Sequence, residues 1–177
     1  MDYQVSAKIQ GLFDQVTAID EVKKGIEFIE KDQDQSISDQ KALTLIESPT
    51  FHEETRAKAY CGYLEGLGLE NVHIDEYGNA VGLLKGTGGG PKVLVEAHMD
   101  TVFPFGSVKE VKEENGVLYA PGIVDDTRGL AVLLSALRGL NASGLKTKGD
   151  IVFVGTAREE GMGSLGGMKD FLDHNPD

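Results

Sequence analysis

The chain has 177 residues, of which 40% are hydrophobic, and its formal net charge is −12 at pH 7. That length suffices for one domain with a sizeable core, and the composition is typical of globular rather than disordered proteins. The acidic balance argues against nucleic acid as a partner, and no apolar run is long enough to cross a bilayer.

The amino-terminal part of the chain predicts a helix over about residues 2–31, because apolar side chains recur on one face. We interpret it as a packing helix. The residues that define its face are Val5, Ile9, Leu12, Phe13 and Val16. The amino terminus lacks a basic region followed by an apolar region, so no secretory signal is predicted and we expect a cytoplasmic location.

A polar break at residues 32–36 follows this helix. We therefore expect an amino-terminal helical segment over residues 1–35 and an α/β domain over residues 36–177. A second helix is predicted from Ser36 or Ser38 to about Glu47, and Pro49 ends it because the residue before a proline is restricted to extended conformations.

A third helix is predicted to begin near residue 50, where Thr50 and Glu53 have the spacing of a capping box. Its apolar face consists of Ala57, Tyr60, Cys61 and Leu64. Cys61 is the only cysteine, which excludes an intramolecular disulfide and a cysteine-rich zinc site. We interpret it as a small core residue, not a nucleophile.

Short strands are predicted over residues 71–75 and 80–84, and buried strands over residues 92–97 and 151–154. The glycine-rich residues 85–91 are interpreted as a flexible connection, because a phosphate-binding loop should follow a strand and open a helix. A hairpin is predicted around Asn115 and Gly116, and a helix with a leucine stripe after Thr127. The order strand, helix, strand predicts a parallel pair.

Three pairs of polar residues fall where the predicted strands end or the helix between them begins. They are His98 and Asp100, Asp125 and Asp126, and Glu159 and Glu160. In a parallel arrangement all three pairs lie at the same edge of the sheet, where open α/β sheets place their chemistry.

A lone histidine at a strand end is more often structural than functional, but Asp100 changes that balance. Side chains two residues apart in a strand point the same way, so the Asp100 carboxylate can reach the imidazole of His98. Such a contact fixes the tautomer and leaves the other ring nitrogen free for a metal ion.

The two acidic pairs each have a structural and a chemical interpretation. One of Asp125 and Asp126 should cap the following helix, which leaves the other free to bridge two metal ions. Glu159 and Glu160 form either a solvated acidic turn or a metal ligand beside a general base. The three pairs together predict metal-dependent hydrolysis.

Residues 96–102, 119–129 and 158–161, which contain these pairs, resemble the motifs of the M20 zinc metallopeptidases. This family includes carboxypeptidases, di- and tripeptidases, aminoacylases and deacetylases. The resemblance extends over about residues 40–172. It implies a three-layer α/β/α sandwich with a mixed, mainly parallel sheet.

The same resemblance implies a role for each candidate residue. His98 would bind one zinc ion, Asp100 would orient His98, and Asp125 would bridge both zinc ions. Glu159 would be the general base, and Glu160 would bind the second zinc ion. The family often has a cis peptide bond at the position between Asp125 and Asp126.

The implied activity is hydrolysis of an amide bond in a small peptide or N-acyl amino acid, in the manner of an exopeptidase. Two zinc ions would serve it, with cobalt or manganese as substitutes. The family's lid or dimerisation domain and its later carboxylate and histidine ligands have no match in the 177 residues. We therefore expect the amino-terminal part of a catalytic domain, weak or inactive alone, and a homodimer in the whole protein.

Two alternatives differ from this interpretation. A folded scaffold or interaction module would keep the motifs without doing chemistry. A serine or cysteine hydrolase is disfavoured, because no Gly-x-Ser-x-Gly sequence is present and Cys61 lies within a helix.

Overall fold

The computed structural model describes residues 5–175, which form six α-helices and six strands. The helices are α1 (Ala7–Thr17), α2 (Asp20–Lys31), α3 (Gln33–Thr44), α4 (Glu54–Gly66), α5 (Thr127–Ser143) and α6 (Gly166–His174). The strands are β1 (Glu70–Ile74), β2 (Ala80–Leu84), β3 (Val93–His98), β4 (Lys112–Glu114), β5 (Val117–Tyr119) and β6 (Ile151–Thr156).

The central sheet has the strand order β1-β2-β6-β3. β3 and β6 are parallel, as the strand-helix-strand order predicts, because α5 carries the chain back across the sheet. β1 and β2 are joined by a tight turn and are antiparallel, and β2 is also antiparallel to β6. The predicted mixed sheet is confirmed, but it is not mainly parallel over the described residues, because the β1–β2 hairpin adds two antiparallel pairings.

Helices cover the two faces of this sheet unequally. On one face, α4 and α5 bury Tyr60, Leu130 and Leu134 against Phe153. On the other face, α6 packs Phe171 against β2 and β6, and a groove of about 740 Å³ lies beside it. The α/β sandwich is confirmed, with its second face only partly covered.

The amino-terminal helix prediction is wrong in two respects. The chain leaves helical conformation at Ile19, so α1 and α2 are separate helices. The predicted apolar face of α1 is 51–64% exposed and is not packed. Of these two helices, it is α2 that packs against α5, where Gly139 leaves room for Ile29. The predicted start at residue 2 lies outside the described residues.

α3 begins at Gln33, directly after Asp32, so the predicted boundary between residues 35 and 36 falls inside this helix. Neither Ser36 nor Ser38 is its cap; Ser36 is buried within α3. None of the helices between residues 5 and 175 is long and apolar enough to span a membrane.

Candidate metal centre

The centre begins at the end of β3, where His98 and Asp100 are both buried. The His98 Nδ1–H donates to the backbone carbonyl of Asp100 at 3.0 Å, while Nδ1 lies 3.5 Å from Asp100 Oδ1. The two side chains therefore lie on the same side, as predicted, but the nearer acceptor is the backbone. Because Nδ1 is the donor, Nε2 is the nitrogen available to a metal ion.

The Asp100 carboxylate also anchors the loop that carries the glutamates. Its Oδ1 accepts the amide proton of Glu159 at 2.9 Å, and its Oδ2 accepts that of Glu160 at 3.0 Å. Thr50 Oγ1 donates to the same Oδ2 at 2.8 Å. Burial alone would raise the pKa of Asp100, but these hydrogen bonds and the neighbouring His98 lower it below its usual value.

Asp125 and Asp126 divide their roles as the sequence predicts. Asp126 caps α5 by accepting the amide proton of Gly129 at 3.0 Å, and its other oxygen accepts that of His98 at 3.2 Å. The peptide bond between Asp125 and Asp126 is cis. Asp125 is left exposed, and its Oδ1 lies 2.8 Å from His98 Nε2.

The structure brings together the three side chains predicted as metal ligands. Donor atoms of His98, Asp125 and Glu160 all lie within 4.8 Å of one another, the one such group of three among residues 5–175. The Oε2 atom of Glu159 lies 3.9 Å from His98 Nε2. The predicted ligands and the predicted base thus share one site, while their roles stay predictions.

The electrostatics of the site suit a cation. Burial pulls the pKa of His98 down, but the carboxylates of Asp100 and Asp125 outweigh it and raise the pKa to about 9. Burial and the nearby charges of Asp125 and Glu159 raise the pKa of Glu160. One imidazole nitrogen with carboxylate oxygens is a donor set that zinc accepts, so the residues fit this metal.

The loop that carries Asp125 is held from α3. Gln40 Nε2 donates to the carbonyl of Ile123 at 2.6 Å, and Thr44 Oγ1 lies 2.7 Å from Thr127 Oγ1. All three polar side chains involved are buried. No local pattern on α3 indicates these contacts, because their partners lie 83 residues away in the chain.

The capping box predicted at the start of α4 is wrong. Glu53 precedes α4 but makes no side-chain capping bond. Instead, Glu53 Oε1 accepts the amide protons of Phe51 at 2.9 Å and Arg158 at 3.0 Å. Since Thr50 donates to Asp100, both polar residues support the metal centre rather than the helix.

A cavity of about 320 Å³ adjoins the site. Asp125 and Glu160 line one part of it, and Phe103, Ile123 and Val124 line the apolar part. A substrate bound at the metal centre would therefore meet an apolar surface beside the reacting group.

The chain is similar to known hydrolases. The family model for peptidase family M20/M25/M40 matches residues 94–177. A Pyrococcus abyssi protein provisionally named a LysW-lysine/LysW-ornithine hydrolase is 35% identical over 130 residues, which are 73% of this chain and 35% of that protein.

Two solved structures are similar over a comparable part of the chain. A Staphylococcus aureus tripeptidase has a TM-score of 0.64 and 29% identity, with 77% of this chain and 40% of that one covered. Aminopeptidase PepT from Bacillus cereus has a TM-score of 0.63 and 27% identity, with 73% and 38% covered. The chain spans about a third of the length of the curated relatives it matches, at 35%, 31% and 37% of three of them.

Proposed function

The chain belongs to peptidase family M20/M25/M40, which its residues 94–177 match, and we propose that it carries the metal centre of a zinc-dependent hydrolase. The reaction is hydrolysis of an amide bond in a small peptide or N-acyl amino acid. The observation that carries the proposal is the convergence of His98, Asp125 and Glu160, with Glu159 beside them.

Three residues hold the metal in this proposal. His98 would bind a zinc ion through Nε2, Asp125 would be a ligand shared by two zinc ions, and Glu160 would bind the second. When bound, zinc would supply Lewis-acid chemistry, which polarises a scissile carbonyl and lowers the pKa of an attacking water. Cobalt or manganese can take the place of zinc, since both accept the same nitrogen and oxygen donors.

The remaining chemistry belongs to Glu159 and Asp100. The Glu159 carboxylate takes a proton from the attacking water and passes it to the leaving amine. Its position near His98 Nε2 supports this role. Asp100 keeps the imidazole and the glutamate backbone in place by the hydrogen bonds described above.

The substrate class rests on the relatives and on the cavity. The two similar solved structures are named a tripeptidase and an aminopeptidase, and both names indicate peptide substrates. The apolar lining beside Asp125 suits an apolar side chain or acyl group of such a substrate. A cytoplasmic location and a homodimer of the whole protein stay predictions from the sequence.

The 177 residues by themselves should hydrolyse such substrates weakly or not at all. Two zinc ions with about four ligands each need more donors than one imidazole and the neighbouring carboxylates provide. The chain alone should therefore bind metal, yet lack the full set of groups for turnover.

Activity is tested in the whole protein that contains these residues, with a panel of dipeptides and N-acyl amino acids. We expect hydrolysis that a chelator abolishes and added zinc restores. Hydrolysis that persists in chelator would contradict the metal mechanism. Bound zinc without hydrolysis of any substrate in the panel would favour the scaffold interpretation.

A further inference from the structure

The buried carboxylates of Glu53 and Asp100 accept hydrogen bonds from three successive backbone amides, at residues 158–160. The amide of Arg158 donates to Glu53 Oε1 at 3.0 Å. The next two amides, of Glu159 and Glu160, donate to the two oxygens of Asp100 at 2.9 Å and 3.0 Å. The peptide planes that aim the two glutamate side chains are thereby fixed from outside the loop.

The carbonyls of the same three residues are also bonded. The amides of Gly166, Leu165 and Gly163 donate to the carbonyls of residues 158, 159 and 160 at 2.9, 3.1 and 2.8 Å. With both sides of the backbone bonded, rotation of one residue in this loop would break several hydrogen bonds at once.

Arg158 is a position in this loop that requires external support. Its φ is +57°, in the left-handed region that a residue with a side chain rarely adopts. Such a conformation persists only where the surroundings hold it. The amide of Arg158 points to Glu53, so the hydrogen bond to Glu53 is the contact that holds this residue on its amide side.

Glu53 is suited to this task by its burial and its reach. Glu53 is only 6% exposed, and its Oε1 accepts hydrogen bonds from the backbone amides of Phe51 and Arg158. Glu53 is not in the group of donor atoms that could share a metal ion. Its contact with the centre therefore runs through the backbone.

We propose that Glu53 is a positioning residue for the metal centre, which aims Glu159 and Glu160 by holding the backbone at Arg158. This inference rests on the proposed function for the role of the two glutamates. The hydrogen-bond acceptor at the length of a glutamate side chain is what matters, and the negative charge is not required.

The first test separates reach from charge. Glu53→Gln keeps an oxygen at the same distance and removes the charge, whereas Glu53→Asp keeps the charge and shortens the side chain by one methylene. Glu54→Gln and Glu54→Asp are matched controls at the exposed neighbouring position. Thermal unfolding of each variant establishes that it folds. If Glu53→Asp does not fold, Glu53→Met takes its place, because it also takes the acceptor oxygen away from the amide of Arg158.

Amide hydrogen exchange at Arg158 in the metal-free chain is the first readout. We expect exchange about tenfold faster in Glu53→Asp, the effect of losing one buried hydrogen bond. Exchange in Glu53→Gln and in both Glu54 variants should match the original chain. Equal exchange in Glu53→Asp and the original chain would overturn the proposal.

Titration with cobalt(II), followed by its visible absorption, is the second readout. We expect Glu53→Asp to weaken cobalt binding roughly tenfold or more, as loss of a group that supports metal ligands does. Glu53→Gln should bind cobalt as tightly as the original chain. A Glu53→Gln variant as defective as Glu53→Asp would show that charge matters and overturn the proposal. If the original chain binds no cobalt, the proposed function fails, while the exchange experiment still decides whether Glu53 holds the loop.

Discussion

His98 and Asp100, two residues apart at the end of β3, serve different parts of one site. The imidazole turns Nε2 towards Asp125, because Nδ1 is engaged by the backbone carbonyl of Asp100. The carboxylate of Asp100 turns instead to the amides of Glu159 and Glu160. Replacement of Asp100 should therefore disturb the glutamates as much as the histidine.

Glu159 and Glu160 should respond differently to loss of charge. In the whole protein, Glu159→Gln should reduce turnover by about 10²–10⁴-fold, the usual contribution of a general base, and retain the metal. Glu160→Gln should instead weaken metal binding, since it removes a ligand. Turnover and metal content are measured on the same samples, and substantial residual turnover in Glu159→Gln would contradict the assignment of the base.

At this scale the sequence predicts the residues with recognisable chemistry and misses those that support them. The three polar pairs are predicted because imidazole and carboxylate types follow strand ends and a helix start, whereas the choice of His98, Asp125 and Glu160 as ligands comes from the resemblance to the M20 family. The local spacing of Glu53 predicts a role in a helix cap, and this prediction is wrong. Its actual partner, Arg158, lies 105 residues away, and no local pattern contains that information.

Among the elements, α3 and α5 are joined by a buried ionic cluster. Arg138 of α5 donates to Asp32 at 2.7 Å and to Asp39 at 2.7 Å, and Ser135 donates to Asp32. Burial raises the pKa of Asp32, but hydrogen bonds from Arg138 and Ser135 outweigh it, so the net shift is downward. Because Gln40 of α3 holds the Asp125 loop, this cluster also supports the metal centre indirectly.

Arg138→Met should destabilise the chain by about 3 kcal/mol, because it leaves two buried carboxylates without their cation. Lys23→Met is the control, since Lys23 and Asp20 form an exposed pair, which contributes at most about 1 kcal/mol. Urea unfolding followed by circular dichroism measures both. Equal stability of the two variants would show that the buried cluster does not hold α3 on α5.

The effect of Arg138→Met should depend on pH in a defined direction. The lowered pKa of Asp32 means that its contribution is present above its unfolded pKa of about 3.9 and is lost as pH falls through the lower folded value. The stability difference between the original chain and Arg138→Met should thus be largest above about pH 5 and shrink below about pH 4. A difference that grows on acidification would contradict this account.

The elements themselves were largely predictable where apolar periodicity and turn residues agree. The predicted strand over residues 80–84 and the leucine-striped helix after Thr127 are both present. The amphipathic pattern of α1 predicts a helix, which is present, but it does not indicate what covers the apolar face. The sheet was predicted mainly parallel because local patterns do not place the β1–β2 hairpin beside β6.

The whole molecule has a net charge of −12, and part of this negative charge lies at the candidate metal centre. Acidic residues cluster at the ends of β3 and β6, beside a buried imidazole, so a divalent cation bound there would relieve the repulsion between their carboxylates. The edge of the sheet at the ends of β3 and β6 positions these residues, whereas α6 covers only part of the second face.

Calorimetric titration of the chain with zinc tests the metal centre most directly, with His98→Ala and the strand variant His73→Ala compared under the same conditions. We predict binding at micromolar concentrations, at least about tenfold weaker in His98→Ala because a direct ligand is lost, and unchanged in His73→Ala. Absence of binding to the original chain, or equal binding by His98→Ala, would contradict the account.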